Sequence, residues 1–264
     1  MMTAPASQAV PLIAIILTYN EAAHIVACID SLRWAERVVV FDSLSTDDTA
    51  VLATAAGATV VPHPFENYSK QRQAALNWVA TEGAANRLDA AWVYFVDADE
   101  RSTPEQAAEI RHRLQNPAID AYGVPRHNYI CGVLTRHAGW FPDYQVRLLR
   151  WAKVRYDLSR DVHEVVIVDG DSGTLDAPLI HYNYRDWAQF IGKQERYTTL
   201  AAQALFRQGV RVKPQNYLLQ PLRQFWWRFV TLQGYRDGGH GLRLSLLLAW
   251  YEFQKYWRLR KLWR

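Results

Sequence analysis

Residues Val93 to Glu100 read VYFVDADE: an apolar and aromatic run followed by three carboxylates within four positions, Asp97, Asp99 and Glu100. The run has the composition of a buried strand. The cluster beyond it is costly, because like charges held together repel unless a cation, a basic side chain or water offsets them. A strand that ends in such a cluster either runs into a solvated loop or presents the carboxylates to something positive.

The segments before it repeat the pattern. Pro11 to Thr18 is a continuous Ile-rich run, as expected of a strand covered on both faces. Tyr19-Asn20-Glu21 then leads into a helical stretch, Ala22 to Leu32. Arg37 to Phe41 is a second strand, and Asp42 to Thr49 (DSLSTDDT) is a polar loop entering a helix, where Asp42 and Asp47 also suit capping. Ala58 to Val61, Tyr68 to Ala80 and Trp92 to Val96 complete a strand, helix, strand succession. This alternation predicts an α/β fold, a mostly parallel Rossmann-like sheet with helices on both faces. Such sheets bind ligands beyond the carboxyl ends of their strands. Tyr19 to Glu21, Asp42 to Asp48 and Asp97 to Glu100 all fall there.

From Pro104 the pattern changes. A helix over Pro104 to Gln115 is followed by short strands at Gly123 to Arg126, Gln145 to Arg150, Val162 to Val168 and Thr174 to Tyr182. Helices are then expected over Asp186 to Gln208, Asn216 to Gln233 and Gly241 to Lys261, with breaks at Gly209, Pro214 and Gly234 to Gly241. The domains read as 1–185, divided into 1–103 and 104–185, and a basic, aromatic-rich helical extension over 186–264.

Bulk properties narrow the function. The chain has 264 residues, half of them hydrophobic, and a net charge of +4. Its two cysteines, Cys28 and Cys131, form no disulfide framework or zinc pattern and point to a reducing compartment. No Lys or Arg precedes Arg33, so a secretory leader is not expected. The longest apolar run near the C-terminus, Leu244 to Tyr251, falls short of the roughly 20 residues a spanning helix needs, so no transmembrane segment is expected either. No G-x-G-x-x-G follows the first strand and no P-loop motif occurs, which argues against a dinucleotide dehydrogenase and a P-loop NTPase. Asp97-Ala98-Asp99 instead offers hard oxygen ligands to Mg2+ or Mn2+, ions that keep open positions for phosphates.

Taken together and in order, Thr18-Tyr19-Asn20-Glu21, Asp42 to Thr49, Lys70-Gln71-Arg72-Gln73-Ala74-Ala75-Leu76 and Asp97-Ala98-Asp99-Glu100 resemble family 2 of the inverting glycosyltransferases. Gly139-Trp140-Phe141-Pro142-Asp143, Arg147-Leu148-Leu149-Arg150, Val162-His163-Glu164 and Asp237-Gly238-Gly239-His240-Gly241 resemble the branch that includes lipopolysaccharide core β-glucosyltransferases. The resemblance implies a GT-A fold over 1–185 with a nucleotide-binding half 1–103 and an acceptor-side half 104–185, a nucleotide-sugar donor such as a UDP-hexose, and a divalent cation. It assigns Tyr19, Glu21 and Asp42 to the base and ribose with Lys70 nearby, Asp97 to ribose or metal, and Asp99 to the metal.

Inverting transfer needs a base to deprotonate the acceptor hydroxyl. Glu164 matches that role, with Asp161 as the alternative; an ion-pair role for Glu164 stays open, because the common E-D form of the motif is absent. Arg147 and Arg150 are candidates for diphosphate or acceptor-phosphate contact, but i, i+3 spacing on a strand puts them on opposite faces, and Arg147 is favoured for the site. Trp140 suits either sugar stacking or packing. His181 suits either a third metal position or a hydrogen-bonded core role.

The remaining charge lies in the tail. Residues 214–264 carry nine Lys or Arg against two acids, interleaved with Trp226, Trp227, Trp250, Trp257 and Trp263. Such helices suit an anionic membrane surface, where a lipid-linked saccharide acceptor would be met, and the expected location is cytoplasmic, on the inner face of the cytoplasmic membrane. Pairing with another subunit in a homo-oligomer is the alternative; no nucleic-acid module is present, and nucleic acid is not an expected partner. The rival functional readings are a membrane-surface scaffold with a GT-A fold and a sugar-nucleotide nucleotidyltransferase.

Overall fold

The computed structural model describes residues 10–86, 92–116, 118–159 and 165–264. Two compact units are present, one formed by residues 1–126 and 144–181, the other by 127–143 and 182–264. The segment 127–143, which a division at residue 185 would leave with the sheet, groups with the C-terminal helices.

The first unit opens with β1 (Leu12–Thr18), α1 (Ile25–Ser31), β2 (Arg37–Asp42), α2 (Thr49–Ala55), β3 (Thr59–Pro62), α3 (Tyr68–Asn86) and β4 (Trp92–Asp97). Strands β3, β2, β1 and β4 lie side by side in that order and all parallel. The expected α/β class with a mostly parallel sheet is therefore what the first unit shows. Alternate residues of β1 go to opposite faces, as a pleated strand requires. Leu12, Ala14 and Ile16 pack with Ile25, Cys28 and Ile29 of α1 and Ala53 of α2, while Ile13 and Ile15 pack with Ala75, Leu76 and Val79 of α3. Burial on both faces explains the absence of polar alternation in the first strand.

The chain continues through β5 (Glu100–Arg101), α4 (Pro104–Arg113), β6 (Ile119–Ile130), and, after β7 (Val133–Thr135), β8 (Tyr144–Arg150), β9 (Val154–Tyr156), β10 (Val166–Val168), β11 (Asp171–Thr174) and β12 (Leu179–Tyr184). Thr103 caps α4 by accepting from the Gln106 N–H at 3.2 Å, and Pro104 supplies the helical φ at the first position. Strand β8 runs antiparallel to β4 and β6 antiparallel to β8. The stretch Thr174 to Tyr182, expected as one strand, is split: β11 ends at Thr174 and β12 begins at Leu179. Helix α1 begins at Ile25 rather than Ala22; residues 22–24 form a turn in which the His24 and Ile25 N–H groups both donate to the Glu21 carbonyl at 2.9 Å.

The second unit contains β7 and the helices α5 (Trp187–Arg207), α6 (Asn216–Trp226) and α7 (Gly238–Leu262). Asp186 caps α5 through the Gln189 N–H at 2.8 Å. The helix expected over Asn216 to Gln233 changes at Trp227 into a π-helical turn, Trp227–Thr231, closed by the Leu232 N–H donating to the Trp227 carbonyl at 2.8 Å. That turn lets the Leu232 carbonyl accept from the Ala138 N–H at 2.8 Å. No helix among the described residues is long and apolar enough to cross a membrane.

Candidate active site at the carboxyl edge of the parallel sheet

The parallel registers align the strand ends. Thr18 lies opposite Asp42, Leu17 opposite Asp97, and Asp42 opposite Pro62, so the three polar loops leave the sheet at one edge.

The first two loops are stitched together. Asn20, at φ +54°, donates its N–H to Ser45 Oγ at 2.9 Å and accepts from the Thr46 N–H at Oδ1 at 2.8 Å. The Glu21 N–H donates to Thr49 Oγ1 at 2.8 Å. Asp42, buried at the end of β2, accepts from the Ser45 N–H at 2.9 Å and from Ser45 Oγ at 2.5 Å. Asp47 accepts from the Thr49 N–H and hydroxyl, the former at 3.0 Å, besides the Ala22 N–H. The Asp-Ser-x-Ser-Thr-Asp pattern thus works as a clamp between loops, with a capping contact from Asp47 within it. Tyr19 is exposed beside this clamp and Glu21 is half-buried.

Helix α3 supplies a second layer. Gln71, fully buried, meets His63 Nδ1 at 2.9 Å and donates to Ser43 Oγ at 3.2 Å. Arg72 lies over the Phe95 ring, 5.0 Å from its centroid, and donates to Asp97 Oδ1 at 3.2 Å. Gln73 Oε1 accepts from the Tyr156 N–H at 2.9 Å. Lys70 pairs with Glu66 at 2.5 Å on the outer side of the helix.

The carboxylates of the VYFVDADE stretch are not equivalent. Leu148 lies opposite Tyr94 and Leu149 opposite Val93, which puts Arg147 on the face shared by Val93, Phe95 and Asp97. Arg147 is buried there and grips Asp97 with both terminal nitrogens, Nη1 to Oδ1 at 3.1 Å and Nη2 to Oδ2 at 2.5 Å. Arg150 takes the opposite face, where it lies 5.0 Å from the Trp92 ring centroid and pairs with Asp120 at 2.7 Å. Glu100 is fully buried. It accepts from the Asp97 N–H at 2.8 Å and pairs with Arg126 at 3.3 Å, with Arg147 at 3.9 Å.

The electrostatics separate the two acids. Burial works to raise the Asp97 carboxyl, but Arg147 and then Arg72 outweigh it and hold the group well below the usual carboxylate range. Burial and the neighbouring Asp97 charge push Glu100 up, against the opposing pull of Arg147, His181 and Arg126. A low and a raised carboxyl side by side share one set of guanidinium groups.

Asp99 points elsewhere. Strand β12 pairs with β5 so that His181 faces Glu100 in register, and the His181 imidazole then comes to 3.6 Å from Asp99 Oδ2. That separation is too long for a hydrogen bond. It leaves a carboxylate oxygen and an imidazole nitrogen facing each other, a donor set that suits a divalent cation whose other positions go to phosphate and water. No cluster of three or more metal-ligating side chains forms among the described residues, which contribute Asp99 and His181 to a partial shell there.

Asp161, His163 and Glu164 lie outside the described residues. Trp140 belongs to the second unit, where its ring packs edge-on against Tyr184 at 6.2 Å and joins the cluster of Ile130, Tyr184, Phe190 and Leu244. The Asp237-Gly238-Gly239-His240-Gly241 motif is also in that unit. Asp237 accepts from the His137 N–H at 2.9 Å and meets His137 Nδ1 at 2.8 Å, while Gly241 sits against the Gly234 carbonyl. Sequence reasoning quoted Gln71 and Arg72 within a motif but gave neither them nor Arg126 a role; their side chains are buried or half-buried. The one signal that could have found them is that a buried basic or amide side chain in an α/β core needs a partner.

The family model described as glycosyl transferase family 2 matches residues 13–161. Over 267 aligned residues the chain is 29% identical to the lipopolysaccharide core biosynthesis glycosyltransferase LpsC of Rhizobium meliloti (strain 1021), covering 93% of each chain. It is 28% identical to an uncharacterized glycosyltransferase of Rickettsia bellii (strain RML369-C), covering 94% of this chain and 86% of that one. Among solved structures, the glucosyl-3-phosphoglycerate synthase of Mycobacterium tuberculosis in complex with Mn2+, UDP and glucosyl-3-phosphoglycerate aligns with a TM-score of 0.46 at 19% identity, over 77% of this chain and 81% of that one. The mannosyl-3-phosphoglycerate synthase of Rubrobacter xylanophilus aligns with a TM-score of 0.47 at 14% identity, over 78% of each. With its family match running from β1 through β9 and spanning more than half of the 264 residues, the chain belongs to glycosyl transferase family 2.

Proposed function

We propose that this glycosyltransferase moves a hexose, with inversion, from a UDP-sugar to a lipid-linked saccharide acceptor in lipopolysaccharide core or related envelope-glycan assembly. The observation that carries this reading is the sorting of the carboxylates at one sheet edge: Asp97 held by Arg147 and Arg72, and Asp99 left facing His181. The similarity to LpsC along nearly the whole chain supports the acceptor class.

In this reading Tyr19, Glu21 and Asp42, on the stitched loops, receive the base and ribose, with Lys70 near them. Carboxylates accept from a uracil N–H and from ribose hydroxyls, and the clamp fixes their positions before the donor arrives. Asp99 and His181 would hold Mg2+ or Mn2+. When bound, that ion offsets the negative charge of the donor diphosphate. Asp97 keeps the Arg147 and Arg72 guanidiniums immobile at the strand end, so they present positive charge to the leaving diphosphate without reorganising. Glu164, or Asp161 in its place, takes the acceptor proton as the new C–O bond forms and the anomeric bond to phosphate breaks. The acceptor is met at the inner face of the cytoplasmic membrane.

The test is UDP release from UDP-glucose and other UDP-hexoses with core-saccharide acceptors, in wild type, Asp99→Asn and Glu164→Gln. Release is expected from wild type only with Mg2+ or Mn2+ present. Asp99→Asn should also lose the rise in melting temperature that Mn2+ with UDP gives the folded protein. Equal turnover in the three proteins would overturn the assignment.

A further inference from the structure

Helix α7 holds the longest apolar run of the C-terminal sequence and buries Leu244, Ser245, Ala249, Tyr251 and Leu259, while Leu242, Leu246, Trp250 and Trp257 stay exposed. Helix α6 is enclosed less still. It has no buried residue, and its inner side meets α7 through Tyr217, whose ring lies 5.9 Å from that of Phe253. Its outer side carries Leu218, Leu222 and Trp226 at i, i+4 and i+8, exposed by 63%, 55% and 63%, with Leu219 beside them. Single exposed leucines are ordinary, but a continuous stripe ending in the tryptophan pair Trp226-Trp227 is not.

A basic cluster gathers around Tyr217 at the start of α6. Arg211 and Lys213 precede α6, Arg260 and Lys261 end α7 and Arg264 follows it, and all five are exposed. Trp263 joins the two segments, donating Nε1 to the Val210 carbonyl at 2.8 Å with Arg211 4.3 Å from its ring centroid. From 207 to 264 the only acids are Asp237 and Glu252. Asp237 is engaged by His137 and Glu252 by Lys255. The cluster's charge is therefore not neutralised from within its own segment.

We propose that the outer face of α6, with the Arg211, Lys213, Arg260 and Lys261 cluster, is the docking surface for an anionic phospholipid bilayer. The helix lies in the interface plane, with Leu218, Leu222 and Trp226 at the boundary between headgroups and acyl chains. An apolar stripe, tryptophans at its end and an excess of long basic side chains near it in the chain are the features an anionic interface selects. A protein partner would need a complementary acidic surface, which a second copy of this segment lacks. The proposal refines the lipid-linked acceptor reading by naming the surface, but vesicle binding is measured without turnover, so the two stand or fall separately.

The experiment is cosedimentation of the full chain with vesicles of phosphatidylglycerol and phosphatidylethanolamine, or of phosphatidylcholine alone. Binding to the anionic vesicles is expected to exceed binding to phosphatidylcholine by about tenfold and to weaken with salt. Leu222→Glu/Trp226→Glu should abolish it, Arg260→Glu/Lys261→Glu should reduce the anionic preference by about tenfold, and Leu200→Glu, on an exposed site of α5, should leave it unchanged. Circular dichroism checks each fold; if the double α6 variant does not fold, Leu218→Asn makes the same test. Wild-type protein that stays in the supernatant, or α6 variants that sediment as wild type does, would overturn the proposal. A dimer that the α6 substitutions convert to monomer, without vesicle binding, would overturn it in favour of a second copy on this face.

Discussion

Arg147→Met is the substitution that most directly probes how the site is built. Arg147 is nearly inaccessible and makes two charge-assisted hydrogen bonds to Asp97, at 3.1 and 2.5 Å, while standing 3.9 Å from Glu100. Breaking a buried ion pair from one side costs about 3 to 5 kcal/mol, because the remaining charge is left uncompensated. Here Arg72 stays on Asp97 Oδ1 at 3.2 Å and Arg126 on Glu100 at 3.3 Å, so the lower end applies, about 3 kcal/mol. With a urea dependence of about 2 kcal/mol per M, the unfolding midpoint should fall by about 1.5 M. The sign of the pH dependence follows from Asp97. Its folded carboxyl lies below its unfolded value, so its contribution is fully present above the ordinary carboxylate range and is lost as pH falls through the lower folded value. The Asp97 share of the gap between wild type and Arg147→Met should be constant above the ordinary carboxylate range and close below about pH 4. A double-mutant cycle with Asp97→Asn should return a coupling above about 1.5 kcal/mol. A coupling under about 0.5 kcal/mol, or a gap that widens on acidification, would refute the reasoning.

Other expectations follow from the same packing. Glu100 behaves oppositely to Asp97: its folded carboxyl is raised, so its ionisation costs stability as pH rises above the ordinary glutamate value toward the raised one. Glu100→Gln, which still accepts from the Asp97 N–H, should gain on wild type across that rise in urea melts, and a constant difference would contradict the assignment. A Cβ at Gly241 would stand 2.0 Å from the Gly234 carbonyl oxygen, so Gly241→Ala should lose about 3 kcal/mol in the same measurement. At Gly239 nothing lies within 4 Å, and Gly239→Ala should stay within about 0.5 kcal/mol of wild type. Ser45→Ala removes the hydroxyl that Asn20 and Asp42 share, and hydrogen exchange at the Asn20 amide should quicken about tenfold, with little change in the sheet.

The parallel core was legible because burial on both faces leaves a local record. Leu12 to Thr18 and Trp92 to Asp97 are apolar at every position but the last, with strand length fixed by the polar residues that end them. Burial of the apolar half also determines where Asp97 and Asp99 emerge, and that placed the candidate site at one edge. The opposite faces of Arg147 and Arg150 follow from the strand period alone and are what the structure shows.

The partners of those residues were decided in three dimensions. Asp97 is held by guanidiniums 25 and 50 residues away in sequence, and His181 comes to Asp99 only because β12 pairs with the two-residue β5. Local sequence carries no mark of such contacts, since Arg72 reads as an ordinary helical arginine until Phe95 and Asp97 surround it. The tail shows the same limit in reverse. Composition put Trp and Arg throughout 214–264, but which helix spends its apolar side on packing depends on which neighbours reach it. Period and composition are fixed by the order of residues along the chain, whereas the pairing of charges and the face left to solvent are fixed by which segments the folded chain brings together.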